Sequence, residues 1–267
     1  MRDDNNSYAN RKKILNRFQP VQEDEIVECG YESDSLFEKL RLIQGSCLVL
    51  NVLILIFSVI YYEMIYESVW HDYQHVILVT MHICSIFLTV QTTIRYKMQV
   101  RLLQMRQKLR KIEGIRSAGY TFAFLFEVVL GLLHPNILLH NITYFSFNSL
   151  NSVRTTHNLN DILVILSLLR VTLITLMVIS VTGMLSNRNH RICLFHGFEM
   201  DSTVIIKILQ QDYPFSVISF MGGVSIIMFA YAIRICERPL TDILGDQNFG
   251  HLTGTIWLTV VTMTTGK

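Results

Sequence analysis

Five apolar runs, separated by polar and charged stretches, organise this chain. The first, from about Ile43 to Tyr62, has no charged residue and stops before Glu63, and the second, from about Val76 to Thr93, carries His82. The third, Ala118 to Leu133, holds one carboxylate, Glu127, and the fourth, Ile162 to Leu185, one guanidinium, Arg170. The fifth, Tyr213 to Ile233, is free of charge, opens on Pro214 where a helix tolerates proline, and contains the pair Gly222-Gly223. Each run approaches the roughly 20 residues an α-helix needs to cross a bilayer, so the pattern predicts an all-α membrane protein with five spanning helices. A shorter apolar piece, Gly254 to Thr265, follows the fifth run. Between the fourth and fifth runs, Val204, Ile205, Ile208 and Leu209 recur at helical spacing, which predicts a helix lying along the membrane surface.

Composition agrees with this reading. With 51% hydrophobic and 16% charged residues over 267 positions, the chain is too apolar for an ordinary soluble domain of its length. Lysines and arginines crowd the arm before the first run (Arg11, Lys12, Lys13, Arg17, Lys39, Arg41), the connection after the second (Arg95 to Arg116) and the one after the fourth (Arg188, Arg191, Lys207). The alternate connections contain only Arg154 and Arg238. Positively charged short loops stay on the cytoplasmic side, so the expected product is a multi-pass membrane protein with its amino terminus inside; the membrane expected is the plasma membrane. The opening residues are polar, and the first apolar run is too long and too far in to be a signal-peptide core. Asn141-Ile142-Thr143 is a glycosylation triplet on the expected outer side. The five cysteines, Cys29, Cys47, Cys84, Cys193 and Cys236, show no metal-ligand spacing, so neither zinc nor a disulfide framework is expected. No catalytic triad or phosphate-binding loop is visible; the chain is not expected to be an enzyme, to hold a cofactor or to bind nucleic acid.

The chemistry is concentrated at the threonine-rich piece Thr262-Met263-Thr264-Thr265. Irregular backbone at membrane depth is tolerated where it is buried or lines a watery path, and carbonyl and hydroxyl oxygens there can replace the hydration shell of a cation. Residue runs elsewhere agree. Phe126-Glu127 through His134-Pro135, Asp161-Ile162 reaching Leu169-Arg170, Arg234-Ile235-Cys236-Glu237-Arg238, and Trp257 at its distance from Thr262 and Thr265 together resemble the small-conductance calcium-activated potassium channels, a family of six-helix tetrameric cation channels. The resemblance covers about Gly45 to Thr265. It implies a cytoplasmic arm over 1–40, largely disordered, a four-helix sensor-like domain over 41–185, a linker over 186–212 and a partial pore domain over 213–267. In that domain Trp257 belongs to the re-entrant pore helix, Thr262 to Thr265 begin the selectivity filter, and Cys236, Glu237 and Arg238 sit at the outer pore mouth. Potassium would be the permeant ion of the complete channel, and the partners would be membrane lipid, related subunits in a homo- or hetero-tetramer, and calmodulin.

Gly266 and Lys267 depart from the family pattern, which continues into an aliphatic residue and Gly-Tyr-Gly-Asp, then a sixth helix and a calmodulin-binding region. The expectation is a product truncated within the filter, by mis-splicing or as a short isoform, that does not conduct alone. The competing reading is a non-conducting regulatory subunit that joins and spoils tetramers of full-length partners; an unrelated receptor or transporter comes third. Arg170 is the one basic residue of the fourth run, with Ser167 and Leu173 three residues to either side. One gating charge is worth about 2.3 kcal/mol per 100 mV, too little for steep voltage dependence, so Arg170 is expected in a structural pair with Glu127 or Asp161. His82 is read as a packed, hydrogen-bonded side chain. The basic run from Lys97 to Lys111, with Leu102, Leu103 and Leu109 among its charges, can rest on anionic headgroups or be a solvated helix.

Overall fold

The computed structural model describes residues 23–67, 73–105, 114–139, 142–148, 153–181, 202–244 and 251–265, with four further positions between 189 and 196. In chain order the elements are α1 (Glu23–Glu67), α2 (Gln74–Met105), α3 (Thr121–Leu132), a 3₁₀ turn (Ile137–Leu139), β1 (Thr143–Asn148), β2 (Val153–Asn158), α4 (Leu159–Leu168), α5 (Arg170–Val181), α6 (Ser202–Asp212), α7 (Pro214–Leu244) and α8 (Leu252–Thr265). Among the described residues four helical stretches are long and apolar enough to cross a membrane: Glu32–Tyr66, Gln74–Met105, Leu159–Ile179 and Pro214–Pro239.

The long helices meet along a seam that repeats every 3.5 residues. The buried positions that form this seam are Leu40, Gln44, Cys47, Asn51, Ile54, Ser58 and Tyr61 on α1, and Gln74, Leu78, Met81, Ser85, Leu88, Thr92 and Arg95 on α2. Steps of four and three keep one stripe facing the partner helix, as in left-handed helix pairs. The stripe is half polar because lipid already satisfies apolar side chains, so polar groups are the ones that gain by turning inward. Ser58 and Ser167 share a hydrogen bond at 2.9 Å, and Asn160 Nδ2 donates to the Tyr61 hydroxyl, also at 2.9 Å. The outward faces carry large apolar groups such as Leu42, Ile83, Phe122 and Phe215.

The fourth run is broken at Leu169, whose N–H donates to the Leu166 carbonyl and whose carbonyl accepts from the Thr172 N–H. Such i to i+3 bonds tighten the helix so that every third residue lines up, and Val164, Ser167, Arg170 and Leu173 are all buried.

Four expectations are corrected. The third run forms only the 12-residue α3, about 18 Å long at 1.5 Å per residue and short of a full crossing. Gly119, at φ 76°, turns the chain just before it, a conformation that favours glycine, and Pro135 lies just beyond its end. The arm expected over 1–40 is helical from Glu23 onward, as the start of α1. The fifth span does not stop at Ile233 but continues through Pro239 to Leu244. The connection between α3 and α4 holds an antiparallel hairpin, Thr143 opposite Asn158 through Asn148 opposite Val153. Asn141 lies outside the described residues, as do Gly266 and Lys267 and most of the basic connection after Met105. A helix is present near the expected Met200 to Leu209, as α6, with Ile205 buried and Lys207 exposed.

Candidate functional site

The threonine-rich segment is the last described stretch of α8, an apolar helix over Leu252–Thr265. It packs against α7. Leu252 touches the cluster of Tyr61, Tyr62, Tyr231 and Ile235 where α1 and α7 meet, and Thr255 and Thr259, one turn apart, form the buried face. Trp257 points outward at 71% exposure, and Met263 is exposed as well. The hydroxyls of Thr262, Thr264 and Thr265 donate back into the helix: Thr262 to the Leu258 and Thr259 carbonyls, Thr264 to that of Val260, and Thr265 to that of Val261 at 2.6 Å. Thr265 is therefore helical, not in an extended filter conformation.

The intramembrane charges are arranged differently from the expected Glu127–Arg170 pair, which the structure contradicts. Glu127 on α3 pairs with Arg95 on α2 and accepts the Tyr96 hydroxyl at 3.1 Å. Arg95 also lies over the Tyr96 ring, 4.8 Å from its centre. The physical reason is depth. α3 runs opposite to α2, so Glu127, mid-helix, comes level with Arg95, whereas the end of α3 comes level with Arg170. Arg170 is fully buried and meets backbone: Nη2 donates to the Gly131 carbonyl at 2.7 Å and reaches that of Leu133 at 3.3 Å. These are among the carbonyls a helix end leaves without partners, so the guanidinium caps α3. Asp161 bonds to the Asn158 N–H at 3.1 Å, within a capping box at the start of α4, and not to Arg170.

Sequence reasoning missed a second charge cluster. Glu63, at the end of α1, accepts from Arg234 through both guanidinium nitrogens at 2.5 and 3.1 Å, from Arg238 at 2.8 Å and from the Tyr231 hydroxyl at 3.2 Å. Arg238 lies over the Tyr66 ring at 4.5 Å. Arg234 and Arg238 are one helical turn apart, so a single carboxylate reaches both. That spacing within Arg234-Ile235-Cys236-Glu237-Arg238 was the available signal. Cys236 is exposed and Glu237 half-buried on the same turn. Also missed was the partner of His82: its Nδ1 stands 3.0 Å from Nε2 of His134, which is buried and held as the neutral ring, its proton affinity lowered to about 4 chiefly by loss of water and next by Arg170 and His82.

Among the described residues no group of three or more His, Cys, Asp or Glu is placed to hold a metal ion. Comparison with protein-family models and with curated proteins gives no match for this chain.

Proposed function

We propose that the chain is a subunit of a voltage-insensitive potassium channel of the calcium-activated, small-conductance kind, with α8 as its pore helix. The observation that carries the reading is α8 itself: a short apolar helix after a long one, packed against it, with threonines in its last turn. The C-terminal end of a helix carries unpaired carbonyls, the negative end of its dipole. Cations gain from that end, and in a fourfold assembly four such ends converge on one axis. In this reading α1 to α5 form the sensor-like domain, α6 the linker, and the amino terminus is cytoplasmic, with Asn141 outside and open to glycosylation.

Arg170 supports the voltage-insensitive part. It is a lone charge fixed to two backbone carbonyls, and a side chain used to cap a helix is poorly placed to move through the field. Arg170→Gln is expected to leave the voltage dependence of any current flat, because one charge contributes only about 2.3 kcal/mol per 100 mV. A marked change in steepness in that variant would contradict this part.

The test of the whole reading is recording from cells that express the chain, alone and together with a full-length calcium-activated potassium channel subunit. A potassium-selective current, or a changed amplitude of the partner's current, is expected. The second outcome alone would select the regulatory form of the proposal. No effect on either, with the chain shown at the cell surface by labelling of intact cells, would overturn it.

A further inference from the structure

The His82–His134 contact is not used by the proposed pore, and its surroundings give it a definite behaviour. His82 lies on the exposed face of α2, and His134 is buried in the turn after α3. Their rings are 5.1 Å apart between centres, with Nδ1 of one 3.0 Å from Nε2 of the other. The same turn is held from two other sides. Ser85 Oγ, one turn along α2 from His82, donates to the Gly131 carbonyl at 2.7 Å, and Arg170 from α5 donates to the carbonyls of Gly131 and Leu133. Among the described residues the charged or titratable groups that act on His134 are Arg170 and His82, and no carboxylate faces it. His134 Nδ1, Arg170 Nε and Arg170 Nη1 are buried without hydrogen-bond partners.

We propose that the His82–His134 pair is a proton-operated latch that fastens the end of α3 to α2 and opens on acidification. The logic is one of donors and acceptors. With one imidazole neutral at the contact, one ring donates and the other accepts. When both rings carry two protons, the facing nitrogens are both donors, a contact at 3.0 Å becomes repulsive, and the fixed guanidinium of Arg170 opposes the added charge. The backbone of Leu132 and Gly131 eases a charged His134, but by less than burial, Arg170 and His82 oppose it. The sign follows from linkage: His134 is held below its ordinary value of 6.5, at about 4. The open or unfolded state therefore takes up the proton first as pH falls from about 6.5 toward 4, and the closed latch loses stability across that window. Above it the latch is fully stable.

The experiment compares the full chain, purified in detergent with a chelator present, at pH 7.5 and pH 5.0, as wild type, His82→Gln and His134→Gln. Glutamine offers both a donor and an acceptor and does not titrate here. Two readouts apply: the thermal unfolding midpoint, and hydrogen exchange at the amides of Leu133, His134 and Leu139. The wild type is expected to lose about 5 °C more than His82→Gln on acidification, and its turn amides to exchange faster at pH 5.0. In His82→Gln the exchange at these amides should rise less on acidification than in the wild type, the remainder being what burial and Arg170 impose on His134 without His82. Should His134→Gln fail to fold, His82→Gln decides alone, since its side chain is exposed. Equal acid sensitivity of midpoint and exchange in wild type and His82→Gln would overturn the latch, and would leave the channel reading untouched.

Discussion

Glu127→Gln is expected to lower the amount of folded chain sharply, and Arg95→Gln, not Arg170→Gln, is expected to restore part of it. The Arg95 side chain is 5% exposed and that of Glu127 16%, so removing the carboxylate strands a guanidinium that has no water to turn to. Breaking a buried pair from one side costs about 3–5 kcal/mol, much of it the penalty of the charge left behind. Tyr96 would lose its acceptor at the same time. Replacing both partners removes the stranded charge, so the double variant should recover about half of the loss as a coupling energy. The measurement is the yield of monodisperse protein in detergent and its thermal midpoint, over the four combinations of Glu127→Gln with Arg95→Gln and the same four with Arg170→Gln. Strictly additive losses for Glu127 with Arg95, or a rescue by Arg170→Gln, would contradict the arrangement described.

How far the sequence reaches is visible in these residues. Four of the five apolar runs became helices long enough to cross a membrane, because uninterrupted apolar composition and helix length are local properties. The exception, α3, is shortened by a glycine turn before it and a proline after it; both residues were in plain sight, but composition alone outweighed them. The buried repeat of α1, Leu40 through Tyr61, was equally legible, since polar residues set at 3.5-residue spacing within an apolar run mark an inward face. Charge partners were harder. From the sequence Arg170 has Glu127 or Asp161 as a candidate partner, whereas Arg95, beyond an apolar run that ends at Thr93, reads as part of a cytoplasmic connection. The helix continues to Met105, which carries Arg95 inward on the same stripe as Thr92. A seven-residue count from Leu88 would have placed it there. The contact between His82 and His134 depends on two helices crossing at one height, and no local pattern carries that information.

Glu63→Gln is the other substitution with a large expected effect, because one carboxylate faces two guanidiniums. The side chains of Arg234 and Arg238 are 11% and 12% exposed, and that of Glu63 is 26% exposed. A glutamine oxygen can accept one of these donors but carries no charge, and its amide would point another donor at the cations. The partial exposure of Glu63 tempers the loss, so we expect about 2–4 kcal/mol. Its location makes the effect specific. Glu63 ends α1, and Arg234, Arg238 and Tyr231 lie on α7, so the cluster ties α7, and with it α8, to the other helices. Hydrogen exchange should therefore rise in the second half of α7 and throughout α8, while the seam between α1 and α2 keeps its protection. Exchanging the charges, Glu63→Arg with Arg234→Glu, places a carboxylate between two guanidiniums again and should recover a good part of the midpoint. If Glu63→Gln unfolds at the wild-type temperature with unchanged exchange in α7 and α8, these contacts do not hold the two parts together, and the attachment must come from the apolar cluster around Tyr62 and Ile235.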